Sequence, residues 1–465
     1  MSAATGTVRK LSTSPDRSAP PRTEATPSLR APEVQRFALS NGLPVLLVEK
    51  HDLPLVAVEI LLPGGAGAVA PSRAGLAGLT ADMLDEGAGK RSALDIATEL
   101  ERLGALLGTS AGYDDSQVHL LALRPRLSES LDLLADLVIR PTFPPDEVER
   151  VRAERLDLIL KLSAEPRSVA NDVLSSVLYG PAHPWGPPLL GTRASLTELG
   201  GDDVAAFHAS RYHAGNATLM VAGDVEVSEL VPLLEARFGR WERRDARPVT
   251  LPSAPERTRA TVHLSDRPGA AQSEIRVGRV AVARGTDDYF PIVILNTLLG
   301  GSFTSRLNAT LREEKGFTYG ARSGFHTRRA PGPFVAQAAV HTPVTGEAVG
   351  VFLEEIERLR EEPVPDEEMD RARSYAALRL PRRFETVGDL VARLAEQVLH
   401  ALPGDYWDSY IPRLLAVDAA AVQEAARRHL DPRRMAVVVD GDAAVIRGPI
   451  ERLGMPIEVI PAVPS

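Results

Sequence analysis

The pattern of apolar and polar positions predicts strands at the start of the chain and helices after them. Two apolar runs, 34–39 and 43–48, flank Ser40-Asn41-Gly42, a sequence typical of a hairpin turn. A third apolar run at 55–62 ends at a Pro-Gly-Gly sequence. The helical period of apolar residues then recurs at roughly 72–86, 92–103, 127–138, 146–163, 167–178 and 202–211, before a strand at 217–222. Strands followed by a run of helices favour an α+β fold.

The same pattern begins again after a proline-rich stretch. Pro145-Asp146-Glu147 is echoed by Pro365-Asp366-Glu367, an offset of 365 − 145 = 220 residues, and Gly223-Asp224 is echoed by Gly441-Asp442, an offset of 441 − 223 = 218. Two unrelated coincidences would not give nearly equal offsets, so the echoes indicate an internal duplication. We expect two homologous domains, each a mainly antiparallel sheet packed with helices. Their predicted bounds are 33–243 and 256–463, with a linker at 244–255.

Composition narrows the class of protein without naming a chemistry. The chain of 465 residues is 44% hydrophobic and 25% charged, as expected of an ordinary globular protein. The absence of cysteine excludes disulfides, thiolate metal sites and cysteine nucleophiles. A net charge of −9 argues against a nucleic-acid partner, and no apolar run is long enough for a membrane span.

The first 32 residues predict a disordered leader. They are rich in Ser, Thr, Pro and Ala, and they lack the apolar segment of a secretory signal. The cytoplasm is therefore the predicted location.

The helix predicted at 72–86 contains the first informative motif. Ser72 is the predicted N-cap, and Leu76, Leu79 and Met83 share one apolar face. The residues alone indicate only a buried helix. Its surroundings, however, resemble the pitrilysin-type inverzincin metallopeptidases, in which the same helix carries His-x-x-Glu-His. The resemblance extends over about 33–463 and implies a pair of such domains forming half of a clam-shaped peptidase.

The resemblance also implies that the chemistry of this helix has been lost. In the family, two histidines four residues apart bind zinc, and the glutamate between them acts as general base. The matching positions here are Gly78, Asp82 and, for the glutamate, Ala81, while the third ligand position on a later helix is Leu158. No two of the ten histidines are four residues apart. We therefore predict no metal in this chain, with Asp82 either solvated or capping the helix.

A second signature of the same family is retained. Gly300-Gly301-Ser302 leads into a helix that matches the family's arginine at Arg312 and its tyrosine at Tyr319. In the family this pair reaches toward the zinc site of the facing half and holds the substrate carbonyl and the tetrahedral intermediate. A cation and a phenol hydroxyl placed where negative charge develops would stabilise an oxyanion.

Simpler explanations of the same residues stay open. An arginine near a helix C-terminus is favourable for the helix dipole alone. Tyr319 could be an ordinary strand aromatic. Arg306, in the same signature, could equally pack the turn, form a salt bridge or contact substrate.

Three functions follow from these observations. The resemblance implies a non-catalytic subunit of a heteromeric zinc peptidase, inactive alone, that supplies Arg312 and Tyr319 to a peptide held by a zinc-bearing sister chain; zinc is then expected only in that partner. The alternative is a structural or peptide-binding scaffold of the same fold, which gives no reason to keep the pair. An independent enzyme with a new site is the third, but the sequence offers no nucleophile, base and orienting group together.

Overall fold

The computed structural model describes residues 29–460. Residues 1–28 of the predicted leader and the last residues of the second predicted domain lie outside the described residues. The described end of the leader contacts the second half of the chain: Leu29 and Ala31 pack against its core, and the Ala31 N–H donates to Asp408 Oδ1 at 2.9 Å. The predicted domain boundaries stay a prediction.

The described residues form two six-stranded sheets with matching strand orders, β6-β7-β3-β8-β2-β1 and β11-β12-β10-β13-β9-β14. The first sheet comprises β1 (Gln35–Ala38), β2 (Pro44–Glu49), β3 (Leu55–Pro63), β6 (Leu106–Ala111), β7 (Asp115–Leu123) and β8 (Thr218–Gly223). The second comprises β9 (Thr261–Asp266), β10 (Gln272–Val280), β11 (Ala321–Phe325), β12 (Pro333–His341), β13 (Ala436–Gly441) and β14 (Ile457–Ile460). A separate small hairpin pairs β4 (Gly87–Ala88) with β5 (Arg91–Ser92).

Strand directions repeat between the two sheets as well. The pairs β2–β8 and β9–β13 are parallel, and the three pairs beyond β8 and beyond β13 are antiparallel in each sheet. Only the last strand differs, because β1 is antiparallel to β2 whereas β14 is parallel to β9. The predicted α+β fold of two homologous, mainly antiparallel halves is confirmed.

The helices follow in the same order in both halves. The first half has α1 (Leu76–Asp82), α2 (Ala93–Leu103), α3 (Leu127–Ile139), α4 (Pro145–Ser163), α5 (Pro166–Tyr179), α6 (Arg193–Glu198), α7 (Gly201–Arg211) and α8 (Val227–Phe238). The second has α9 (Tyr289–Asn296), α10 (Arg306–Asn308), α11 (Thr345–Glu361), α12 (Asp366–Arg379), α13 (Val387–Leu399), α14 (Tyr406–Leu415), α15 (Ala419–His429) and α16 (Ala443–Glu451). Within the described part of the chain, no helix is both long and apolar enough to cross a membrane.

The helix predicted at 72–86 is shorter than expected. Ser72 lies in a short 3-10 turn, Pro71–Arg73, and the N-cap of α1 is Gly75. Gly75 has φ of 92°, and a Cβ there would lie 2.6 Å from the Leu190 carbonyl oxygen. The predicted Ser72 cap is therefore wrong, because the chain must turn at Gly75 to pass the loop that contains Leu190.

Each sheet has its own helices on one face and a helix from the other half on the opposite face. Helix α5 packs on β10 and β13, and α13, its counterpart in the second half, packs on β3 and β8. The apolar residues at the first contact include Val169, Val173, Leu174, Ala436 and Val438. Those at the second include Leu46, Ala57, Leu61, Leu390, Val391 and Leu394. The two halves are thus held together by a reciprocal exchange of helices.

Candidate functional site

Helices α1 and α4 carry the four positions aligned with the family's zinc ligands and base. Gly78 and Ala81 lie within α1, where the Ala81 side chain is buried, and Asp82 ends the helix with 41% of its side chain exposed. Leu158, on α4, is 41% exposed and contributes no polar atom.

A buried arginine occupies the space between these two helices. Arg155, three residues before Leu158 on α4, is only 8% exposed. Its Nη1 forms an ion pair with Asp82 Oδ2, and its Nη2 donates to the Leu190 carbonyl oxygen at 3.1 Å. A Cβ added at Gly78 would lie 2.6 Å from Nη2. The guanidinium therefore covers the first ligand position and is bonded to the second.

Two of the three acidic residues at and just after the end of α1, Asp82 and Glu86, form ion pairs with arginines of α4. Glu86 forms an ion pair with Arg150. The pKa of Asp85 is raised, chiefly by burial, and also by the nearby carboxylates of Glu86 and Asp82. Among residues 29–460, no group of three or more His, Asp or Glu side chains could hold a metal ion. The residues at this place do not fit a zinc ion, since the would-be ligands are absent and a cation already lies there.

Sequence matching did not find Arg155. The available signal was its position, one helical turn before the lost ligand and on the same face of α4. The sequence alone does not show that this arginine lies at the lost metal position, because that depends on how the two helices pack.

The retained signature forms a tightly packed turn. A π-helical segment, Thr297–Gly301, precedes the turn, and a second one, Ala309–Glu314, continues α10. The glycines are required by close approach: a Cβ on Gly300 would lie 2.5 Å from the Ser323 N atom of β11, and one on Gly301 would lie 2.7 Å from Asn296 Nδ2. Because π-helical turns occur often at functional sites, this geometry marks the segment as unusual.

Arg312 and Tyr319 extend from this turn toward solvent. Arg312 lies in the last turn of the second π-helical segment, and its guanidinium lies over the Phe303 ring at 4.3 Å from the centroid. Tyr319 precedes β11 and is 90% exposed. The explanation of Tyr319 as a strand aromatic is therefore wrong, since it lies outside the strand and outside the core. Among residues 29–460, no hydrogen bond joins the two side chains to each other or to the α1–α4 site.

Two family descriptions match successive parts of this chain. Residues 44–193 match "Insulinase (Peptidase family M16)", and residues 199–375 match "Peptidase M16 inactive domain". The chain belongs to the M16 peptidase family. Its sequence lacks the zinc-binding pentapeptide of the active members at the position where α1 lies.

Relatives of the chain carry contrasting names. A Mycobacterium tuberculosis protein named an uncharacterized zinc protease is 26% identical over 429 residues, which is 91% of this chain and 96% of the relative. A Helicobacter pylori protein named a non-peptidase homolog is 21% identical over 394 residues, covering 84% and 89% of the two chains. A solved peptidase M16 inactive domain from Pseudomonas fluorescens is 25% identical with a TM-score of 0.82, covering 88% of this chain and 98% of that one.

Arg306, in the same M16 signature, has a structural partner. Its Nε and Nη2 each donate to a different carboxylate oxygen of Glu368 at 2.8 Å. This bidentate pair fixes α10 to α12 and engages the arginine inside its own chain. Of the interpretations left open for Arg306, the salt bridge is the one present.

Asn308 is the residue of this M16 turn that sequence matching missed. It is buried, accepts from the Ala321 N–H at 2.9 Å and donates through Nδ2 to the Ala321 carbonyl oxygen at 2.9 Å. Nδ2 also lies within hydrogen-bond distance of the Ser302 carbonyl oxygen and Ser305 Oγ. Asn308 thereby ties the turn, the helix and the start of β11 around the loop that carries Tyr319. The available signal was an asparagine inside a predicted helix, where it is a poor helix former.

Proposed function

We propose that this chain is the zinc-less subunit of a two-chain M16 peptidase, and that Arg312 and Tyr319 act on a peptide held at the zinc of the partner chain. The observation that carries the proposal is the exposure of Tyr319, 90% of whose side chain faces solvent. A tyrosine that packs against almost nothing contributes little to the stability of its own chain. Its place on a turn held rigidly by Asn308 is what a positioned substrate contact requires.

The environment of Arg312 supports the same role. About a third of its side chain is exposed, and its neighbour Glu313 lies 3.4 Å away at the surface, where an ion pair adds little. The guanidinium of Arg312 lies over the Phe303 ring at 4.3 Å from the centroid, a cation–π contact that does not use a hydrogen-bond acceptor. Its N–H donors could bind a peptide carbonyl and the negative charge that develops on it during hydrolysis.

The partner is inferred from the state of the α1–α4 site. Arg155 fills that place in this chain, so metal chemistry would have to come from another polypeptide. A sister chain with His-x-x-Glu-His would supply the zinc and the general base. This chain would supply the second set of substrate contacts.

The proposal is tested by co-expressing the chain with a zinc-bearing sister chain and comparing turnover of one peptide. Arg312→Ala and Tyr319→Phe each remove one donor, and losing one oxyanion donor typically lowers turnover by about 10²–10³. Matched controls are Arg433→Ala and Tyr375→Phe, since both side chains are at least partly exposed and lie on other elements, the turn before β13 and helix α12. Size-exclusion chromatography confirms that every variant assembles.

The expected result is normal assembly with all four variants and a large loss of turnover with only the first two. If Arg312→Ala and Tyr319→Phe complexes cut as fast as the parent, the pair has no catalytic role. In that case the chain is a structural or peptide-binding scaffold of the same fold.

A further inference from the structure

The guanidinium of Arg155 connects three separate segments of the first half. It extends from α4, pairs with Asp82 at the end of α1, and bonds to Leu190 in the loop before α6. The same loop packs so closely on the start of α1 that both partners are glycines, Gly75 and Gly191, each with positive φ. One cation therefore joins the two helices that would share a zinc ion in an M16 member with the full ligand set.

We propose that Arg155 has replaced the metal of this site as a resident cation, cross-linking α1 and α4 and excluding zinc. The proposal concerns this chain alone and does not depend on a partner chain or on the role of Arg312. The ligands have been lost, and in addition the guanidinium of Arg155 now occupies the space where the metal would lie. Restoring the ligands would then not be enough to restore metal binding.

Sterics give the first reason. The Cβ of any residue other than glycine at position 78 would lie 2.6 Å from Arg155 Nη2, well inside van der Waals contact. A histidine at this position could be accommodated only if the guanidinium moved. The glycine and the arginine are therefore a matched pair.

Charge gives the second reason. The guanidinium of Arg155 is a cation and is almost fully buried, so it would repel a divalent cation placed beside it. Asp82, which replaces a neutral histidine of the family pattern, supplies the counter-charge that a buried guanidinium needs. A change of Asp82 to histidine would remove that counter-charge and leave the arginine unpaired.

Metal content of ligand-restored variants tests the proposal. Gly78→His, Asp82→His and Leu158→Glu are combined in the full chain, once with Arg155 kept and once with Arg155→Ala. After dialysis against zinc, elemental analysis should find about one equivalent only in the variant that lacks Arg155. Cobalt should give the absorption bands of a tetrahedral site in that variant alone. Equal and stoichiometric zinc in both variants would overturn the proposal.

A milder pair of variants covers the case in which the ligand-restored chains do not fold. Gly78→Ala should lower the melting temperature of the parent chain, because the new Cβ meets the guanidinium. In an Arg155→Ala background the same change should raise it, because alanine is the better helix former. If Gly78→Ala has the same sign of effect in both backgrounds, Arg155 does not occupy the site and the proposal fails.

Discussion

The α1–α4 site of the first half and the glycine-rich turn of the second half have diverged in opposite directions. At the α1–α4 site, the charged groups pair with each other, since Arg155 is buried and forms an ion pair with Asp82. At the second, a buried network around Asn308 holds Arg312 and Tyr319 outward, and Phe303 beside them is 65% exposed. Charges that are paired within the fold serve the fold, whereas exposed aromatic and cationic groups on a rigid support are available to another molecule. The first site is thus engaged within its own chain, whereas the second presents exposed groups on its surface.

Substitutions of the buried pair should show the largest effect on stability. Asp82→Ala leaves an almost fully buried guanidinium without its counter-charge, and we expect a loss of about 3–5 kcal/mol in the free energy of unfolding. Arg155→Leu leaves Asp82, which is half-exposed and can be hydrated, so its loss should be smaller, about 1–2 kcal/mol. Urea unfolding measures both. Arg312→Ala is the control and should change stability by about 0.5 kcal/mol or less. An Arg312→Ala loss as large as that of Asp82→Ala would remove the contrast between the two regions.

The centres of the two sheets show the opposite contrast, with the unpaired group in the first half and the paired group in the second. Glu59 and Arg276 are the fifth residues of β3 and β10, and both are buried. Arg276 has partners, including Asn171 and Glu274 at 2.7 Å each. Glu59 Oε1 has none among the described residues, and burial, with Asp115 nearby, raises the pKa of Glu59 from 4.5 to about 7.

That raised pKa makes stability depend on pH. The folded chain binds the Glu59 proton more tightly than the unfolded chain does. Protonated Glu59 therefore contributes to the stability of the fold below pH 4.5, and this contribution is lost as pH rises through 7. The shift of 7 − 4.5 = 2.5 units corresponds to about 3 kcal/mol. The free energy of unfolding of Glu59→Gln, measured relative to that of the parent, should therefore rise by about 3 kcal/mol when the pH is raised from 4.5 to 8. Urea unfolding at both pH values measures it, and a difference that does not vary with pH would contradict the prediction.

A substitution of Asn308 should have a smaller effect on stability than Asp82→Ala, and it should also affect turnover. Asn308→Ala leaves the Ala321 N–H and carbonyl without their side-chain partner, and a buried unpaired group costs about 1–3 kcal/mol. In the proposed complex with a zinc-bearing sister chain, peptide turnover should also fall. Asn308 itself contacts no substrate in this proposal, but without it the loop that carries Tyr319 is no longer held in place. Zinc content and assembly should stay normal. A stability loss with unchanged turnover would make Asn308 purely structural.

The sequence predicted the fold well because its signals were local or repeated. Apolar periodicity located α2 to α5 within a few residues, and the nearly equal offsets of the echoes indicated the duplication that the two sheets confirm. The start of α1 was missed because it depends on a contact with Leu190, more than a hundred residues away. Arg155 and Asn308 were missed for the same reason: each acts through groups on other elements, which residue spacing does not reveal. The roles of Arg312 and Tyr319 rest on family resemblance and stay a proposal.

The exchange of α5 and α13 between the halves has a consequence for how such a chain can evolve. Duplicated domains that each have a complete hydrophobic core can be lost, reordered or encoded separately, because each can fold without the other. Here a gene split within the proline-rich segment would yield two proteins, each with a bare apolar sheet face and an unattached amphipathic helix. Such fragments would remain dependent on finding each other. The two halves are therefore expected to stay in one gene after the duplication. One half can then lose its catalytic residues and still be required for the packing of the other.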